Sequence, residues 1–210
     1  MNNNFNIGTF INDFSSSCSK ALKKSFAKNE TITTYIEKRN QLCILLKGNA
    51  DLIRYDFNGN RIIVEHFSKN DAFGEIFYKV TTNNELVVVA KKSCEVLFVP
   101  YYDIQKQCKS NCKFHNQLVE ELPELILNKV TDLNMRIELL SKRSIRDKLL
   151  GYFSILSTRN LSTSFELPFS LTDLADYLSV DRSAMMREIK LLKEDNFIDK
   201  IGNRIKLLYK

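Results

Sequence analysis

Between about Cys112 and Lys142 the apolar residues Val119, Leu122, Ile126, Val130, Leu133, Ile137 and Leu140 recur at steps of 3, 4, 4, 3, 4 and 3 residues, which keeps them on one stripe of an α-helix. A helix over that run is roughly 46 Å long at 1.5 Å per residue. That is too long for an ordinary globular helix. The stripe points to a coiled-coil-like helix that meets its own copy in a second subunit, with the consecutive 4-residue steps marking a local break in the heptad. The alternative is a buried helix packed within one chain, but the other segments are too short to cover such a length. Pro123 lies inside the run and removes one backbone hydrogen bond, so a kink or a restart of the helix is expected there.

The chain has 210 residues, and the pattern on either side of the stripe differs. From Gln41 to Pro100 it reads as short strands: Gln41 to Leu46, Ala50 to Phe57, Asn60 to Phe67, Glu85 to Ala90 and Glu95 to Val99. Lys47-Gly48-Asn49 separates the first two, and Asn58-Gly59 supplies the φ > 0 residues of a type I′ hairpin turn. Ser68-Lys69-Asn70-Asp71 leads to Phe73-Gly74-Glu75, and Pro100 ends the last strand because it cannot donate to a ladder. Strands at this spacing suggest a small antiparallel sandwich or roll.

After Ser144 the chain reads as compact and helical. Ser144 to Leu156 is amphipathic through Ile145, Leu149, Leu150, Phe153 and Leu156. Ser170-x-x-Asp173 is a capping-box variant ahead of Leu171, Leu174, Ala175 and Leu178. Asp181 caps the next helix, in which Met185, Ile189 and Leu192 are apolar and Arg182, Arg187, Lys190 and Lys193 are basic. Only Ser179-Val180 separates the two helices, the signature of a helix-turn-helix. Ile198 to Lys200 and Arg204 to Leu207 then pair as a wing around Gly202-Asn203. The expected architecture is α+β: an N-terminal antiparallel β-roll of jelly-roll type over residues 1–110, a long dimerisation helix over 111–142, and a C-terminal winged helix-turn-helix over 143–210.

A recognition helix needs donors near its N-terminus for the major groove and flanking cations for phosphates. Arg182, Ser183 and Arg187 meet the first need; Lys190 and Lys193 meet the second, and Ser170 caps the preceding helix beside them. A solvated amphipathic face carries similar charges, but not the tight turn, short first helix and wing. Net charge does not locate the site. The formal charge is +6, yet residues 143–210 carry twelve basic against nine acidic groups, an excess no larger than that of the rest.

The scarce residue types exclude whole classes. The six glycines, Gly8, Gly48, Gly59, Gly74, Gly151 and Gly202, are not spaced as a phosphate-cradling loop or dinucleotide fingerprint. No G-x-S-x-G elbow or H-E-x-x-H pair starts a hydrolase, so the chain reads as a non-enzyme. The uninterrupted apolar stretches, Cys43 to Leu46 and Leu86 to Ala90, fall far short of the ~20 residues that span a bilayer, so no membrane partner is expected. The start, Met1-Asn2-Asn3-Asn4-Phe5, lacks a secretory pattern and points to the cytoplasm. The five cysteines read as reduced thiols.

The segment Leu171-Thr172-Asp173-Leu174-Ala175-Asp176-Tyr177-Leu178-Ser179-Val180-Asp181-Arg182-Ser183-Ala184-Met185-Met186-Arg187-Glu188-Ile189 resembles the winged helix-turn-helix of the Crp/Fnr family of bacterial transcription regulators. Phe73-Gly74-Glu75, Cys94-Glu95-Val96, the long helix and Ser144-Ile145-Arg146-Asp147-Lys148-Leu149 agree in order, so the likeness runs from about residue 20 onward. The resemblance implies base contacts from Arg182, Ser183 and Arg187 and a homodimer joined through the long helix. It also implies a two-fold symmetric double-stranded DNA site and RNA polymerase as a further partner. A signal received by the roll would tilt the long helices and set the separation of two recognition helices. Gly74, Glu75, Asn84 and Glu85 occupy the family's effector positions. Members that bind cyclic AMP carry Arg-Ser or Arg-Thr where this chain has Asn84-Glu85, and no arginine lies between Arg61 and Arg136. A carboxylate in place of a phosphate-binding arginine is electrostatically unfavourable. Cyclic AMP is therefore not the expected effector and no cofactor is expected; the signal at the roll is a different ligand or a chemical change. With only Cys18 near the N-terminus, an N-terminal iron-sulfur cluster is not expected either. Cys108, Cys112 and His115 could hold zinc or iron or form a redox-responsive pair, or sit together by chance at a helix start. His66, on an expected strand, reads as a packing residue rather than a haem ligand. Two rivals remain: the same DNA-binding regulator with a roll that senses nothing, and a small-molecule-binding enzyme whose C-terminal part is a helical interaction module.

Overall fold

The computed structural model describes residues 21–36, 39–55, 59, 61–78, 86–100 and 113–208, the side chains of 113–119 excepted. The chain forms two compact units, Met1–Val130 and Thr131–Lys210.

The first unit is built on eight strands: β1 (Leu22–Phe26), β2 (Thr31–Thr34), β3 (Gln41–Lys47), β4 (Ala50–Tyr55), β5 (Arg61–Phe67), β6 (Ala72–Gly74), β7 (Val87–Ala90) and β8 (Cys94–Pro100). They form two four-stranded sheets, ordered β1-β8-β3-β6 and β2-β7-β4-β5. Every pairing is antiparallel. Phe26, Cys43, Leu45 and Phe98 of the first sheet share a core with Leu52, Phe67 and Val88 of the second. Phe67 and Phe73 stack there with ring centroids 4.8 Å apart.

The strands expected from the sequence are present as β3, β4, β5, β7 and β8. Tyr55 pairs with Arg61 across the expected hairpin, and Gly59 has φ +79°, as a primed turn requires; Asn58 lies outside the described residues. Strands β1, β2 and β6 were not expected. In β1 only Phe26 is buried, so the strand carries no alternating signal.

The long helix, α1, covers Lys113–Ser141, 29 residues. It continues through Pro123 and does not restart there. Leu122 and Leu125 pack on Leu42, Ile44, Leu97 and Val99, on the face of the first sheet turned away from the shared core. Both faces of that sheet are thus covered, which is why β3 reads as an unbroken Leu42-Cys43-Ile44-Leu45-Leu46 instead of alternating. One turn further on, Lys129 is only 9% exposed. Its ammonium donates to Glu65 Oε1 and lies 4.9, 5.1 and 5.3 Å from the ring centres of Phe67, Phe77 and Tyr78. The Tyr78 hydroxyl donates to the other oxygen of Glu65. On the expected stripe Ile126, Val130, Leu133 and Ile137 are exposed, Ile137 by 63%, and Leu122, Pro123, Ile126, Leu127 and Val130 line a shallow apolar depression.

The second unit begins inside α1 and continues with α2 (Ile145–Asn160), β9 (Ser164–Glu166), α3 (Leu171–Leu178), α4 (Arg182–Glu194), β10 (Ile198–Ile201) and β11 (Arg204–Leu207). Strand β9, not expected from the sequence, joins the wing in a sheet ordered β10-β11-β9. Leu149, Phe153, Leu174, Leu178, Met185, Leu192, Ile198 and Ile205 are buried in this unit. Gly151 lets α2 approach the end of α1 closely: a Cβ there would lie 3.2 Å from Leu139 Cδ1 and would push the flexible Lys142 Cε, 2.7 Å away, aside.

Removing one partner of a buried ion pair leaves an uncompensated charge, at a cost of about 3–5 kcal/mol. Lys129→Met should therefore lower the stability of the first unit by about 3 kcal/mol in urea unfolding. Adding Glu65→Gln should recover most of that loss, because the neutral amide still accepts from Tyr78.

Candidate functional site

Helices α3 and α4 are set by local chemistry at their ends. Ser170 Oγ accepts from Asp173 N at 3.1 Å and donates to Asp173 Oδ2 at 2.7 Å, so its hydroxyl is committed to the cap. Ser179 ends α3 in the left-handed region, with φ 52° and ψ 54°. Its N–H donates to Asp176 O and that of Val180 to Ala175 O. Asp181 then caps α4, accepting from Ala184 N at 2.7 Å. Three residues thus turn the chain from one helix into the next, as the tight turn in the sequence indicated.

Met185, Ile189 and Leu192 bury one face of α4. Arg182, Ser183, Arg187, Lys190 and Lys193 are exposed, so the structure brings the expected set together on the solvent side of one helix. Lys190 Nζ lies 3.6 Å from Glu194 and Lys193 Nζ 3.4 Å from Asp199; such exposed pairs hold little free energy and yield readily to a stronger anion. Arg182 and Arg187 have no carboxylate partner among the described residues, whereas Arg159 and Arg204 pair with Asp132 and Glu166.

Arg146, in the first turn of α2, was not singled out from the sequence. It pairs with Glu188 at 3.2 Å and Asp195 at 2.7 Å and stacks over Phe197, 4.8 Å from the ring centre. The two carboxylates raise its already high pKa, the hydrogen bond to Asp195 contributing most. The C-terminal carbonyls of α3 are also held by cations. Arg136 of α1 donates to Tyr177 O at 3.2 Å and lies over its ring, while Lys148 donates to Leu178 O at 3.3 Å. Cations there complement the helix dipole. The capping boxes were legible in sequence because both partners lie within one turn; Arg146 and Glu188 lie 42 residues apart.

In the first unit, Gly74 ends β6 with φ +126°, and a Cβ there would collide with the carbonyl oxygen of Gln41. Its N–H donates to the Tyr35 hydroxyl at 3.0 Å, and burial pushes that phenol's pKa well up. The Glu75 carboxylate accepts from the backbone N–H groups of Arg39 and Asn40. Glu75 is thus engaged in tying the chain after β6 to the segment that enters β3. Asn84 and Glu85 lie outside the described residues. So do Cys108 and Cys112, and the side chain of His115, though its backbone lies in α1. Among the described residues no three histidine, cysteine, aspartate or glutamate side chains cluster as metal ligands. His66 is held by a neighbour: its Nδ1 lies 2.6 Å from Oδ1 of the buried Asp51, with Lys91 Nζ 3.8 Å from Oδ2. Cys43 and Cys94 are free and buried, and burial pushes both thiols up.

Residues 23–111 match the family model of the cyclic nucleotide-binding domain. The transcriptional activator protein FnrL of Cereibacter sphaeroides is 20% identical over 195 residues, covering 86% of this chain and 74% of that protein. The structure of FixK2 from Bradyrhizobium japonicum superposes with a TM-score of 0.70 at 18% identity, over 90% of this chain and 93% of that one. CprK complexed with OCPA gives 0.72 at 15% identity, over 93% and 89%.

The turn that sets α4 is open to direct measurement. Ser179→Gly should raise stability by about 0.5–1 kcal/mol, because glycine meets the left-handed conformation without a Cβ penalty. Asp181→Ala should lower it by about 1 kcal/mol through the lost cap. Urea unfolding of the full chain reads both.

Proposed function

We propose that this chain, which carries a cyclic nucleotide-binding domain and has the fold of the Crp/Fnr-type regulators, is a homodimeric, sequence-specific DNA-binding transcription regulator. The observation that carries the reading is the outer face of α4: Arg182 and Arg187 exposed and without carboxylate partners among the described residues, beside Ser183 and Lys190, on the second helix of a tight turn. Arginine is the side chain best matched to bidentate contact with guanine. Arg182, Ser183 and Arg187 would meet base edges, while Lys190 and the cap at Ser170 would lie nearer phosphates. In domain terms, residues 1–110 form the sensor roll, 111–142 the dimerisation helix and 143–210 the DNA-binding domain.

The exposed Ile126, Val130, Leu133 and Ile137, spaced by 4, 3 and 4 residues on α1, support a coiled-coil pairing with a second copy. Two recognition helices must then lie about 34 Å apart to enter successive major grooves, so the DNA site is two-fold symmetric. Regulation requires a signal at the roll that favours one arrangement of the dimer over another. CprK in complex with OCPA is a precedent for a ligand bound to a protein of this fold. Cyclic AMP fits poorly, since no arginine lies between Arg61 and Arg136 and the Glu75 carboxylate is taken up by the backbone N–H groups of Arg39 and Asn40. The protein would act in the cytoplasm, with RNA polymerase as its further partner, and catalyse no reaction of its own. Among the described residues no helix is long and apolar enough to cross a membrane.

Gel-shift titration against an operator selected from random duplexes tests the reading. Arg187→Ala should weaken specific binding at least about tenfold, the weight of one bidentate base contact, while size-exclusion chromatography still reports a dimer. Unchanged affinity would remove α4 as the reading helix.

A further inference from the structure

The exposed side of α4 is not wholly polar. Met186 is 38% exposed and lies four residues after Arg182 and four before Lys190. Successive members of that row turn by about 40° around the axis, so Met186 stands between the two cations and beside the row of Ser183 and Arg187. Leu191 is exposed as well, but in the second half of the helix and on the far side of Arg187 from Arg182. Base contacts come from the N-terminal half of a recognition helix, which singles out Met186.

An unbranched thioether between two cations has no donor for a phosphate, and its sulfur is only a weak acceptor. In the major groove, the apolar group a base pair presents is the 5-methyl of thymine. We propose that Met186 is a specificity-determining residue that packs on the 5-methyl group of one thymine in each half-site, next to the bases contacted by Arg182 and Arg187. This inference rests on the DNA-binding reading and goes beyond it by assigning a base type to a side chain that carries no hydrogen-bonding group.

Deoxyuridine replaces thymine with loss of that methyl alone, leaving the O4 acceptor and the base pairing in place. The full-length protein is first used to select an operator from random duplexes. Each thymine is then changed to deoxyuridine at the symmetry-related positions of both half-sites, and affinity is measured by gel shift. At one position per half-site the substitution should weaken the wild-type protein about fourfold for each methyl lost from an apolar contact, or about fifteenfold for the pair. Met186→Ala should bind the thymine and deoxyuridine duplexes at that position alike, yet still discriminate against changes at guanine positions. Met186→Gln, which keeps the length and loses the apolar end, should do the same and serves where the alanine variant folds poorly.

A wild-type protein indifferent to deoxyuridine at every position overturns the inference, as does a sensitive position that stays equally sensitive in both variants. A selection that enriches no sequence removes the DNA-binding reading itself, which distinguishes the two failures.

Discussion

A lysine ammonium buried beneath three aromatic rings fixes where the long helix begins to be free. Lys129 is held by Glu65, by the faces of Phe67, Phe77 and Tyr78 and, through Glu65, by the Tyr78 hydroxyl. Taking two charges out of water is expensive, and their attraction repays the cost only with good geometry and further hydrogen bonds. A well-packed apolar pair could stabilise the fold as well. What the ionic pair adds is register: a leucine in this place tolerates a slide along the sheet, whereas a single ammonium facing a single carboxylate does not. Together with Leu122 and Leu125 on the outer face of the first sheet, it sets α1 against the roll at one rotation.

That rotation decides which residues of α1 are left over. With Leu122, Leu125 and Lys129 turned inward, Ile126 and Val130 remain in solvent. Single exposed apolar residues are ordinary on protein surfaces, but a run of them at heptad spacing is a surface that lacks its complement. In the proposed dimer, the buried lysine and the exposed stripe are two consequences of one placement, and a change at the roll that released Lys129 would alter the face offered to the second copy.

Much of this was legible in the sequence where the determining partners lie close together in the chain. The hairpin turn marked by Gly59 and the caps at Ser170 and Asp181 each depend on partners within a few residues, so their spacing alone betrays them. The stripe on α1 was legible for the same reason. Strand β1 was not, because at the edge of its sheet it buries Phe26 alone, and β9 is only three residues long. The role of Lys129 was hidden because nothing beside it distinguishes it from a solvated lysine; its partner Glu65 lies 64 residues earlier. In sequence Met186 does not stand apart from Met185, its buried neighbour, since an apolar residue in an amphipathic helix reads first as core. Exposure, which only the fold supplies, separates the two.

Among the described residues Arg182 and Arg187 lack a carboxylate partner, and the carboxylates of α4 are engaged elsewhere. Helix α4 and its C-terminal end carry Glu188, Glu194 and Asp195, enough carboxylates to neutralise a pair of cations. Arg146 draws Glu188 and Asp195 to the side of the helix facing α2, and Glu194 is satisfied by Lys190. Negative charge is thereby collected along the back and the end of α4, and the first two turns of its outer face keep their positive charge. The arginine that opens α2 thus fastens two helices through carboxylates on the side of α4 away from Arg182 and Arg187, and it touches none of the residues proposed to read a base.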